Sequence, residues 1–86
     1  MLNKSKLLQY LNRLIDFTMD KVVLIEVLKL RIEIITGKFD SKELLGVDKN
    51  SLLTTLKMTF ENTSDEDVKY VVVRFINKIV DDYFNN

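Results

Sequence analysis

The sequence predicts an all-α fold, a small up-and-down bundle of four main helices at about 4–19, 21–36, 49–61 and 65–84, with a short helical turn near 41–45. Three observations lead there. Apolar residues recur at helical spacing along nearly all of the 86 residues. Proline is absent, and the two glycines, Gly37 and Gly46, stand where helices would end. The breaks between periodic stretches span only a few residues, which implies antiparallel neighbours in one domain, residues 1–86.

In the first helix Leu7, Leu8, Leu11, Leu14, Ile15, Thr18 and Met19 share one arc, with Gln9, Asn12 and Asp16 opposite. Asn3 or Ser5 can cap it. From Lys21 to Thr36 the chain is apolar nearly all round, with Glu26, Lys29 and Glu33 as a narrow polar stripe, the pattern of a central, mostly buried helix. Residues 29–34 also alternate polar and apolar and are rich in β-branched side chains, so a strand competes there. Helix is preferred, because the stripe spans two turns and Gly37 follows as a cap.

Asp40 and Glu43 have capping-box spacing, which suggests the helical turn before Gly46. Asp48 or Asn50 starts the next helix, with Leu52, Leu53, Leu56 and Phe60 inward. Asn62, Thr63 and Ser64 break the chain, and Ser64 with Asp67 opens the last helix. There Val68, Val72, Phe75, Ile76, Ile79 and Tyr83 form the clearest helical repeat.

Composition narrows the function. With no His and no Cys, the usual metal ligands and nucleophile–base pairs are missing, and catalysis would rest on carboxylates, Lys, Tyr, Ser or Thr in a cleft that shifts their pKa. Asp65, Glu66, Asp67 and the Asp81–Asp82 pair lack the alternating ligand loop of a calcium site, and no glycine-rich phosphate loop is present. The reading is therefore not an enzyme, with no cofactor and no metal. Lys4 and Lys6 precede Leu7 and Leu8, but Gln9, Asn12 and Arg13 interrupt the apolar run before signal-peptide length. No stretch reaches the roughly 20 apolar residues of a membrane span. Lack of cysteine fits a cytoplasmic setting.

Thirteen basic and thirteen acidic residues balance, which argues against nucleic acid or an anionic membrane as the main partner. The first 57 residues carry ten basic and seven acidic groups and the remainder three and six, a mild polarity.

The segment Leu45-Gly46-Val47-Asp48-Lys49-Asn50-Ser51-Leu52 resembles the turn and early second helix of helix-turn-helix DNA-binding proteins. Extended over 38–57, the resemblance implies that Lys49, Asn50, Ser51 and Thr54 face the major groove and that Lys42 and Lys57 lie near phosphates. Lys42 stands where that family has a small residue, and Thr55 where it has an apolar one.

Apolar residues outside the core arcs point instead to protein contact. Tyr10 and Phe17 bracket Arg13 beside the first helix's main face, and aromatic–Arg groups are frequent at interfaces. Val73, Val80 and Phe84 form a second stripe on the last helix, and Asp65, Glu66 and Asp67 offer charge complementarity to a basic partner. The expected function is a non-enzymatic protein-binding module, such as a small inhibitor, immunity or antitoxin-type protein or phage-like regulator. Its partner is another protein, and a chain this small leaves homodimerisation open. The alternative is a DNA-binding regulator using 38–57.

Overall fold

The computed structural model describes residues 1–43 and 45–85. Among them the chain forms four helices and no strand: α1 (Lys4–Phe17), α2 (Lys21–Ile35), α3 (Lys49–Asn62) and α4 (Glu66–Val80). The result is a small four-helix bundle. Residues 29–34 are helical throughout, so the strand alternative does not hold.

Every helix starts on an Asn or Asp in extended conformation whose side chain accepts from the first turn's N–H groups. Asn3 accepts from Lys6 at 3.0 Å, Asp20 from Val22 and Val23 at 2.7 and 3.1 Å, and Asp48 from Asn50 at 3.1 Å. Asp65, rather than Ser64, caps α4 by accepting from Val68 at 3.0 Å. At the other end of α2, Gly37 takes φ +88° and completes a Schellman turn, with Lys38 N–H donating to Glu33 O at 3.0 Å and Gly37 N–H to Ile34 O at 3.2 Å. Asp82, at φ +62°, builds the same turn after α4, and Tyr83 N–H donates to Lys78 O at 3.0 Å. This turn stops α4 at Val80, short of the expected 84.

Three-residue connections at 18–20 and 63–65 pair the helices as two hairpins, α1–α2 and α3–α4, which meet where α2 packs on α4. The interior is apolar, with no buried polar or charged residue among those described. Leu7 and Leu11 face Val23, Val27 and the α4 row Val68, Val72, Phe75 and Ile79 within one core.

The connection 36–48 departs from the expected helical turn. Residues 42, 43, 45 and 46 form bends, and Leu44 lies outside the described residues. An isolated helix of one turn is unstable without tertiary support, and here burial of Phe39 and Val47 shapes the loop instead. Ser41 N–H donates to Gly46 O at 3.0 Å and Asp48 N–H to Phe39 O at 2.7 Å. Val47 also pairs with Leu2, exchanging bonds of 3.2 and 2.9 Å, while Asn3 N–H donates to Phe84 O at 2.6 Å. Both chain ends and the long loop thus close one end of the bundle. Over that end Phe84 stacks edge-on against Phe75 at 5.5 Å and Tyr10 at 5.4 Å.

Phe84 is completely buried, whereas Val80 is 55% exposed. Phe84→Ala is accordingly expected to lower the free energy of unfolding by about 3–5 kcal/mol. Val80→Ala is expected to change it by no more than about 0.5 kcal/mol. Urea titrations followed by circular dichroism measure both.

Candidate contact surface

The side chains singled out in the sequence separate once the bundle is closed. Phe84 belongs to the core and is unavailable to a partner, because the Asp82 turn folds it back across α4. Tyr10 is half-buried against Phe75 and Phe84, and this burial pushes its phenol up, with the Arg74 charge acting the other way. Lys78 lies over the rings of both Tyr10 and Tyr83, at 5.7 and 4.3 Å. Arg13, Val73 and Val80 are exposed, and Phe17 at the end of α1 is 82% exposed. Tyr10 and Phe17 therefore do not act as one patch: the first seals the core and the second leaves it.

Segment 38–57 lacks the geometry that the helix-turn-helix resemblance requires. No helix precedes Gly46 closely among the described residues, and α2 and α3 are separated by the whole loop 36–48 and do not pack on each other. Asn50, Ser51, Thr54 and Lys57 are exposed along α3, and Ser51 Oγ donates to the cap Asp48 at 2.9 Å. Lys49 reaches Asp82 at 3.8 Å. Lys42 is exposed on the loop.

Between α2 and α3 lies a cleft of about 250 Å³, floored by Val68, Val72 and Phe75. The ionic groups of α2 along it are paired, Glu26 with Lys29 at 3.7 Å and Glu33 with Lys38.

A further apolar surface stands exposed where the sequence reading placed the interior. α2 buries Val23, Val27, Leu30 and Ile34, but its outer face carries Val22, Ile25, Leu28, Ile32 and Ile35 in solvent. Their spacing of three, three, four and three residues keeps them within an arc of roughly 140°. Leu28 is 38% exposed and Ile32 58%. The α1–α2 connection adds Phe17 and Met19, the latter 96% exposed, beyond the N-terminal end of the helix. α2 is thus not central, and one of its apolar faces remains uncovered. Sequence reasoning missed it because the polar stripe Glu26, Lys29 and Glu33 is narrow, and the wide apolar remainder of the helix carries no mark that divides its buried side from its exposed one.

The acidic run at the start of α4 works within the fold. Asp65 caps α4, Glu66 reaches Lys69 at 3.8 Å, and Asp67 faces the cap of α2, Asp20. Carboxylate oxygens of Asp20, Asp65 and Asp67 lie within 4.8 Å of one another. A hydrogen bond to Asp20 raises the Asp67 carboxyl pKa, with repulsion from the neighbouring carboxylates in the same direction. Asp20 is held below the usual range, first by the N–H of Val23.

For Asp20 the associated stability is present above its unfolded pKa and fades as pH falls through the lowered folded value. For Asp67 it is present at low pH and fades as pH rises through the raised value. Asp67→Asn keeps a donor for Asp20 and removes the repelled charge. Thermal unfolding of this variant is expected at a higher midpoint than wild type at neutral pH, and the gap should close on acidification into the carboxylate range. Compared with known proteins, the chain matches no family model, no curated protein and no solved structure.

Proposed function

We propose that the protein is a non-enzymatic contact module that works by docking the outer face of α2 onto another protein surface, in the manner of a small inhibitor, immunity or antitoxin-type protein or a phage-like regulator. The observation that carries this reading is the group of exposed aliphatic residues Ile25, Leu28, Ile32 and Ile35 on α2, with Val22 at its edge beside Lys29. Scattered exposed aliphatics are ordinary on a soluble protein, but a contiguous patch of several hundred Å² on a monomer marks an interaction site. Here one 15-residue helix, about 22 Å long, shows an aliphatic side chain to solvent at every turn.

The distribution of ionisable groups supports contact over catalysis. No charged side chain is buried among the described residues. The resolved carboxyl shifts belong to two residues at helix N-termini, not to a cleft. Docking through α2 needs no such group, since its energy comes from removing apolar surface from water.

A photocrosslinking residue in place of Ile32, in the cells that make the protein, tests the reading. A protein adduct is expected at Ile32 and none when the same residue replaces the exposed Lys57 on α3. Absence of any adduct at Ile32 would overturn the assignment of α2 as the contact face.

A further inference from the structure

Taking α2 as the contact surface, we infer that its occupant is a second copy of this chain, docked antiparallel about a two-fold axis near Leu28. Leu28 is the middle residue of α2, with seven residues on either side. The stripe is close to symmetric about it: Ile25 and Val22 lie toward one end, Ile32 and Ile35 toward the other. A two-fold axis there sets Leu28 against Leu28 and Ile25 against Ile32, with Val22 and Ile35 at opposite edges of the contact. The centre of the stripe then meets itself, as the self-complementary patch of an isologous dimer must.

The chemistry of the face selects the same occupant. Its seven apolar side chains, Phe17 and Met19 included, offer no hydrogen-bond donor or charge, and the exposed cations Lys21 and Lys29 border them at the start of α2 and beside Val22. The partner surface over the centre, from Ile25 to Ile32, must therefore be nearly free of polar groups, or it would bury them unpaired. Interfaces between unlike proteins lean on Tyr, Trp and Arg with a near-average polar share, whereas homodimer interfaces resemble a core cut in half. This face, made of Val, Ile, Leu, Met and Phe, is of the second kind.

At their observed exposures the five α2 side chains present on the order of 450 Å², and the exposed total reaches on the order of 800 Å², the contribution of each partner to a standard-size interface, when Phe17 and Met19 join at the rim. The chain is electrically neutral, so two copies approach without net repulsion.

Sedimentation of the full chain over a range of concentrations is expected to show twice the chain mass of 10.1 kDa. Ile25→Glu combined with Ile32→Glu should keep helical circular dichroism while weakening self-association on the order of 100-fold or more. Because the sequence has no cysteine, introduced thiols report geometry independently of that variant. Leu28→Cys should form a disulfide between copies on mild oxidation, and Thr54→Cys, exposed on α3, should not. Mixed Ile25→Cys and Ile32→Cys chains should cross-link to each other in preference to themselves.

A wild type that stays monomeric at every concentration overturns the second copy. So does a dimer that Leu28→Cys fails to link. If the monomer's Ile32 photoadduct contains a different protein, α2 remains the contact face and only the self-association is lost. A monomer with no adduct overturns both.

Discussion

Closure of one end of the bundle around Phe84 is the constraint on which the rest of the structure depends. The ring packs against Phe75 and Tyr10, its carbonyl accepts from Asn3, and Leu2 beside it pairs with Val47. These few contacts draw together the two chain ends and the loop between the helical hairpins, which otherwise meet where α2 crosses α4. A small domain with no cysteine for a disulfide has little stability to spare, so tying down its terminal residues removes much of the fraying open to them. Among the described residues, the first three, those after the Asp82 turn and the loop 36–48 meet at this end.

How far the sequence disclosed this follows from the range of each interaction. Helix positions were legible because they depend on neighbours three and four residues away, and the stripe Val68, Val72, Phe75 and Ile79 is the row that α4 buries. The caps Asn3 and Asp48 were legible in the same way, whereas Asp20 was not singled out and Asp65 rather than Ser64 took the last one. The end of α4 was not. Asp82 adopts a left-handed backbone without being glycine, which Asp tolerates better than most residues, and nothing local announces it. With that turn hidden, Phe84 read as a continuation of the Val73 and Val80 face. The loop 36–48 was obscured for a related reason: the local capping-box spacing of Asp40 and Glu43 yields to the long-range pairing of Val47 with Leu2.

The candidate surface was less legible than the fold. Tyr10, Phe17, Val73, Val80 and Phe84 were singled out as apolar residues displaced from a core arc, yet displacement on a helical wheel does not distinguish a residue that seals the core from one that leaves it. Tyr10 seals it and Phe17 leaves it. α2 poses the opposite difficulty, because a helix apolar on several sides states how much surface must be covered and not what covers it. Within this chain α1 and α4 cover two sides, and the third is in water.

The makeup of that third side bears on how it would bind. Buried area alone does not set affinity, since association loses translational freedom and must also order the side chains it covers. Val22, Ile25, Ile32 and Ile35 are β-branched, and on a helix such residues already occupy one dominant χ1 rotamer. Covering them costs little further entropy, in contrast to Met19, which has three rotatable bonds and stands almost fully in solvent. The pre-ordered centre from Ile25 to Ile32 should therefore carry most of the binding free energy, with Phe17 and Met19 adapting at the rim. Strong β-branched character at positions 29–34 first made a strand plausible there. In the folded protein the two isoleucines of that segment part, Ile34 going into the core and Ile32 standing on the exposed face of α2 with its χ1 already fixed by the helix.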